Sequence, residues 1–391
     1  MPIIENIKIQ NFNKKKPKKK IKILLRKLLD EDNQIIKSLN KSYKDSWNLK
    51  EIKIYKKFSH ITLVGMGGSI MGSKSIYSFL KNKIKKIFFF LDNFENNKIK
   101  EIKKSKKLNL IISKSGNTLE TIVNSNVVLN KNVKNIFITE SNSSYLLSLA
   151  HKLRSDIIEH NNYIGGRYSV LSEVGMLPAM LMGLNINKFR KFNELIKNQH
   201  FLNSLTNSVS NILNLVKKNK SNSIILNYDE KASDLFYWYQ QLVAESLGKK
   251  NQGILPIISK MPKDNHSLMQ YYLEGVKNNF FTLFFFKDKS SKKINNNRIL
   301  KSHSYLRNKS LNQISFSQFC ATQKVFRQRN IPFRSFIIEK RNEKNLGQLF
   351  SFFILETILL GMALKINPFD QPAVELIKKQ TKKILISKNY F

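Results

Sequence analysis

Apolar residues along this chain come in short bursts. Residues 61–64 (ITLV), the stretch KIFFFLD (86–92), LNLIISKSG (108–116) and NIFITE (135–140) are each too short for a helix, and helix-length segments separate them. That pattern predicts parallel strands of an α/β domain. After a polar, helical stretch from about 187 to 222 the pattern restarts with SIILNYD (223–229), NNFFTLFFF (278–286) and FRSFIIEK (333–340). The element order therefore predicts an α/β fold of two tandem domains, each a mainly parallel sheet flanked by helices, with a helical C-terminal segment. The corresponding boundaries are a basic N-terminal arm at 1–34, a first domain at 35–190, a second at 191–345, and C-terminal helices over 346–391. The run LGQLFSFFILETILLGMAL (346–364) approaches membrane length, but Gln348, Ser351, Glu356 and Thr357 interrupt it, so it is expected as a buried core helix. KDKSSKKINNNR (287–298) is polar enough to read as a loop.

Composition refines the picture. A chain of 391 residues, 41% hydrophobic, has the material for two buried cores. Its net charge of +41 invites a nucleic-acid reading, but Lys is scattered throughout alongside Asn and Ile rather than gathered in one patch. Only KKKPKKK (14–20) forms a block, and it is expected as a solvated arm rather than a nucleic-acid element. One cysteine, Cys320, cannot form an internal disulfide, and the first residues lack the apolar core of a secretory signal. A cytoplasmic protein without a membrane segment is expected.

Candidate chemistry begins at GMGGSIMGSKSI (65–76), directly after the first strand. Half of a dinucleotide fingerprint is present: Gly65 and Gly67 fit and Asp92 ends the next strand, but Ile70 holds the third glycine position. A nicotinamide dehydrogenase stays open as an alternative on these residues alone. The third strand runs into SKSGNTLET (113–121), where Asn117 and Glu120 suit a helix cap. Ser113, Ser115 and Thr118 can donate to phosphate oxygens at that helix start, Lys114 can add charge, and Ser69 lies on the neighbouring turn. The competing reading is a Ser/Thr-rich turn with a good cap.

GMGGS followed by SKSGNTLET resembles a sugar isomerase domain. With GGRYS (165–169), QQLVAESLGK (240–249), NHS (265–267) and NPFDQPAVELIKK (367–379) in this order, the chain from 65 to 379 resembles the glucose-6-phosphate isomerase family. The resemblance implies two sugar isomerase domains and interconversion of D-glucose 6-phosphate and D-fructose 6-phosphate by ring opening and a cis-enediol. It implies no metal or organic cofactor, and a homodimer. Gly68, Ser69, Ser113, Lys114, Ser115 and Thr118 are then expected to hold phosphate. Glu245 is expected to move the proton, tuned by burial toward a neutral pKa, with Gln241 one turn earlier on the same helix face. Arg167 would face the enediolate, with Gly166 allowing close backbone approach. His266 would open the ring from across the dimer interface, and Lys378 is the other ring-opening candidate. Lys378 shares a helix face with the substrate contact Gln371, on a helix that Asp370 is expected to cap and Pro372 to begin. A branch that also isomerises mannose 6-phosphate commonly carries Asn-His-Asn-Glu, where this chain has DNHSLMQ (264–270). That dual-specific enzyme and a non-catalytic sugar-phosphate-binding module are the alternatives; the module would need none of Glu245, Arg167, His266 and Lys378.

Overall fold

The computed structural model describes residues 3–4, 6–12, 18–94, 106–130 and 132–387. Among them, eleven strands form two sheets. In chain order these are β1 (Ile3–Ile4), β2 (Ile7–Gln10), β3 (His60–Val64), β4 (Ile87–Leu91), β5 (Lys107–Ile112), β6 (Lys134–Thr139), β7 (Asp156–Glu159), β8 (Asn222–Asn227), β9 (Leu255–Lys260), β10 (Asn279–Phe286) and β11 (Phe333–Ile338). The first sheet is parallel throughout, in the order β4-β3-β5-β6-β7. The second runs β1-β2-β11-β10-β8-β9, with β8 to β11 parallel. Parallel strands are covered by helices on both faces, which is why β5, β6, β8 and β10 read as nearly unbroken apolar runs.

The seven expected strands are present. The pattern did not announce β7, four residues with acidic ends, or β9, which carries Pro256. A proline is tolerated there because β9 is an edge strand, paired with β8 alone.

The N-terminal arm is corrected. Strand β2 pairs antiparallel with β11, from Gln10 opposite Ser335 to Ile7 opposite Ile338, and buries Ile7 and Ile9. Alternate apolar residues make it a half-buried strand, a signal too short to separate from the Lys-rich sequence around it. Helix Lys19–Asp30 then buries Ile21, Leu25 and Leu28 against helix Glu343–Leu364. Residues 14–17 of the basic block lie outside the described residues; Lys18, Lys19 and Lys20 are exposed.

Helix Glu343–Leu364 is the core helix that the 346–364 run predicted. Among the described residues it alone is long and apolar enough to cross a membrane, yet residues 345 to 361 are buried without a break. Packing is close enough that a Cβ on Gly347 would lie 2.1 Å from the Phe189 carbonyl oxygen. Its Glu356 meets Arg334 of β11, both almost fully buried, with Arg334 Nη2 donating to Oε2 at 3.0 Å. Arg334 also donates to Thr282 Oγ1 at 2.9 Å and Ser208 Oγ at 2.5 Å, so this charge pair is hydrogen-bonded as burial demands. Helix Ser233–Leu247, which follows β8, packs on this core helix and on helix Gly68–Phe79, which follows β3. The first crossover helix of each sheet thus meets its counterpart across the domain boundary.

The buried pair gives a stability prediction. Glu356→Leu leaves Arg334 charged and unpaired, and should lower the urea-unfolding free energy by about 3–5 kcal/mol. Adding Arg334→Met should recover most of that loss; no recovery would mean that the hydroxyl partners, not the charge, dominate.

Candidate active site

The glycine turn after β3 is shaped by crowding. Gly67 has φ +52°, and a Cβ there would lie 2.6 Å from Gln241 Nε2. A Cβ on Gly68 would lie 2.1 Å from the Gly166 carbonyl carbon and 2.5 Å from Arg167 N. The turn is therefore the point where the first sheet, the helix bearing Glu245 and the GGRYS segment touch. Ser69 follows, nearly buried, in the first turn of helix Gly68–Phe79.

Beside it, β5 delivers the second turn. Ser113 Oγ and Thr118 Oγ1 lie 3.0 Å apart, and Ser115 Oγ accepts from Asn117 N at 3.3 Å. Gly116 has φ +63° and no room for a Cβ, which would sit 2.1 Å from Ser144 Oγ. The expected cap differs: Thr118, not Asn117, is the N-cap of helix Leu119–Val128, and no side chain bonds its amides. Asn117 Oδ1 instead accepts from Tyr145 N, because the first turn of helix Tyr145–Lys152, which follows β6, offers an amide within reach. The helix start is thus left open to an anion. Lys114 does not join it. Its ammonium lies 2.8 Å from the Asn162 carbonyl and 3.4 Å from Glu140, since its place in the turn directs it toward β6 and β7.

Glu245 is held at both carboxylate oxygens. Gln241 Nε2, one turn earlier on helix Ser233–Leu247, donates to Oε2 at 3.0 Å, and Arg167 Nη1 donates to Oε1 at 3.2 Å. The Glu245 side chain is 24% exposed, so the deep burial expected of it is replaced by fixation between two donors. Gln241 Oε1 is buried with no hydrogen-bond partner, an acceptor waiting for a donor beside Glu245.

Arg167 is 2% exposed and all five of its N–H groups have protein acceptors. Nε donates to Ser246 Oγ at 2.8 Å, Nη1 also to Gln371 Oε1 at 2.7 Å, and Nη2 to the carbonyls of Pro368 (2.7 Å) and Asp370 (3.1 Å). Tyr168 Oη bonds Ser246 Oγ and the same Pro368 carbonyl, and burial pushes its pKa up. The expectation of a guanidinium with its fork free for an intermediate is therefore changed: its fork knits three chain segments together. Ser246, Tyr168 and the Pro368 carbonyl were not singled out in the sequence, where nothing marks a serine after the Glu or a backbone carbonyl as an Arg partner.

A cavity of about 750 Å³ opens beside Glu245, bordered by Gly248, Lys249, Asn367, Gln371 and Pro372. Asp370 does not cap a helix. Its carboxylate pairs with Lys249 at 2.5 Å, whose hydrogen bond holds its pKa below the usual range, and the helix begins at Val374 rather than at Pro372. Lys378 sits on that helix, Val374–Ser387, with its ammonium 2.6 Å from Glu375, and does not line the cavity. The helix buries no residue and leaves Leu376, Ile377 and Ile386 exposed. His266, exposed after edge strand β9, likewise does not line the cavity. The structure thus gathers Gly68, Gly166, Arg167, Gln241, Glu245 and Gln371, and leaves His266 and Lys378 apart. Among the described residues no three His, Cys, Asp or Glu side chains converge as a metal site requires.

Residues 29–255 match the family model described as phosphoglucose isomerase. The chain is 32% identical to a glucose-6-phosphate isomerase of Methanocaldococcus jannaschii, over 85% of this chain and 86% of the relative. It is also 32% identical to one of Mycoplasmopsis pulmonis, over 84% of this chain and 83% of that protein. Among solved structures, a hypothetical protein of Thermus thermophilus superposes with a TM-score of 0.82 at 25% identity, covering 93% of this chain and 94% of the other. A glucose-6-phosphate isomerase of Chlamydia trachomatis shares the fold at a TM-score of 0.70 and 18% identity, over 94% of this chain and 78% of that one. A family match over more than half of the chain, extended to most of its length by relatives that share one name, leads to one assignment: the chain belongs to the phosphoglucose isomerase family.

Proposed function

We propose that this enzyme interconverts glucose 6-phosphate and fructose 6-phosphate at the cleft around Glu245. The carrying observation is a carboxylate fixed at both oxygens by Arg167 and Gln241, on a helix packed against a phosphate-type turn. Ser113, Ser115, Thr118 and Ser69 hold the phosphate. Glu245 then removes the C2 proton of the open-chain aldose; the C–H electron pair forms the C1=C2 double bond and the aldehyde oxygen takes the negative charge. The hydroxyl proton of O2 passes to O1, the carbon proton returns from Glu245 to C1, and O2 becomes the carbonyl oxygen, which completes the ketose. Arg167 acts as a fixed positive charge that aims the Glu245 carboxylate. Gln371, held by its oxygen on Arg167 Nη1, has its amide N–H groups left to donate to the enediolate.

Ring opening belongs to His266 and Lys378, neither of which reaches Glu245 within one chain. In this reading the working unit is a cytoplasmic homodimer in which the partner's His266 enters the cleft and helix Val374–Ser387 docks. The open apolar side chains Leu376, Ile377 and Ile386 support a covering partner surface, and the exposed free thiol of Cys320 suits a reducing compartment.

Glu245→Gln should lower kcat by about 10²–10⁴-fold with KM for fructose 6-phosphate little changed, read in a coupled assay. Near-normal turnover would remove Glu245 as the base. Ser113→Ala should instead raise KM by roughly tenfold through loss of one bond to a charged group, with kcat largely kept. Ile377→Glu should shift the dimer toward monomer in sedimentation and lower activity in parallel; a fully active monomer would end the role given to the partner's His266.

A further inference from the structure

Open parallel sheets place ligands at the carboxyl ends of their strands where the strand order reverses. In the first sheet that point lies between β3 and β5, and it carries the glycine turn and the Ser113 turn. The second sheet repeats the order, with β8 in the place of β3 and β10 in the place of β5, so its reversal lies between β8 and β10. The isomerase chemistry leaves that point unused. A cavity of about 450 Å³ stands there, bordered by Lys231 after β8, Ser290 after β10, Arg341 after β11, and Asn82 and Lys83 from the first domain.

The charges in it are unevenly paired. Arg341 is clamped between the rings of Phe79 (4.5 Å) and Phe286 (4.0 Å) and neutralised by Asp229 at 2.8 Å. Lys83 is neutralised by Glu343 at 2.6 Å. The Lys231 ammonium donates to a neutral group, the amide oxygen of Asn82 at 2.8 Å. Asp288 is turned onto its own loop by Ser290, whose backbone N and Oγ donate to it at 2.9 and 2.6 Å. A second hollow of about 380 Å³ shares Asp288 and Asn312 with the cavity and adds Lys287, Lys289 and Lys293 from the polar 287–298 loop. The cavity itself is lined by as many carboxylates (Asp229, Glu230, Asp288) as cations (Lys83, Lys231, Arg341); the cationic excess of the joined crevice comes from the lysines of the 287–298 loop, of which Lys287 reaches Glu339 at 3.5 Å.

We propose that this crevice is a second ligand site for a small phosphate-bearing molecule, with Lys231 meeting the phosphate and the side-chain amides of Asn82 and Asn312 supplying neutral N–H donors. The site is built on a lysine that is hydrogen-bonded to no carboxylate among the described residues, next to a lysine-rich loop, at a switch point, and does not rest on the isomerase reading. It is bordered by the far ends of the two helices whose other ends carry the glycine turn and Glu245: Leu80 follows helix Gly68–Phe79, and Lys231 precedes helix Ser233–Leu247.

The test is equilibrium dialysis of the full chain with radiolabelled inorganic phosphate and, separately, radiolabelled fructose 6-phosphate. Wild-type protein should bind a second equivalent per chain. Lys231→Glu, and Ser290→Trp as a steric block, should each lose that second equivalent while KM for fructose 6-phosphate stays unchanged; both positions are exposed and lie outside the Glu245 cleft. A second equivalent of both probes identifies the phosphate alone as the recognised group, and one of fructose 6-phosphate only shows that sugar hydroxyls are needed. A single equivalent in wild type with both probes, or a second equivalent retained in both variants, overturns the proposal.

Discussion

The site depends on one buried guanidinium. Arg167 is out of water, and a charge so placed is tolerated only when its hydrogen-bonding capacity is filled. Filling it requires Ser246 and Glu245 from the second domain, Gln371 and two carbonyls from the C-terminal segment, and a backbone seated against Gly68 of the first domain. Two stretches far apart in sequence are thereby fixed within hydrogen-bond distance of one side chain, and a third, at Gly68, packs against its backbone. The same requirement explains why glycine occupies position 68: any Cβ there would push the Arg167 segment away from its partners.

Around that centre the domains are joined by like elements. Helix Gly68–Phe79 and helix Ser233–Leu247 are the first crossover helices of their sheets, and each begins at the carboxyl edge of its own first strand. Because the helices pack directly on each other, the glycine turn of one sheet stands next to a carboxylate on the helix of the other. The proposed active-site cleft belongs to neither sheet alone. The contact between Gly67 and Gln241 is the tightest expression of that join.

The C-terminal segment has two characters. From Asn367 to Gln371 it is bound in, by Arg167, Tyr168 and the Lys249–Asp370 pair. From Val374 onward it is a helix with no buried residue, although its sequence carries an apolar stripe. A helix this open draws no stability from packing within its own chain, and such short helices depend on packing for theirs. Lys378 rides on this element and His266 on an exposed turn past an edge strand, so the two side chains proposed for ring opening are exposed and stand apart from the Glu245 cleft.

Strand runs such as LNLIISKSG and NNFFTLFFF were legible in the sequence because parallel strands buried on both faces cannot alternate polar and apolar residues. The core helix at 346–364 was legible for the same reason, and Glu245 and Gln241 were placed on one face by helical spacing alone. Strand β2 was not, since four residues carry too little periodicity to stand out beside a basic block, and its place is set by pairing with β11 near the other end of the chain. Nor were the true partners of Asn117, Asp370 and Lys114, because polar side chains choose among local caps and distant acceptors by proximity that only the folded chain creates. The sequence by itself determined where strands and the core helix form and on which of them the candidate residues sit. The tertiary structure decided which donors are already occupied, above all those of Arg167, because hydrogen bonds across domains follow from packing and not from spacing along the chain.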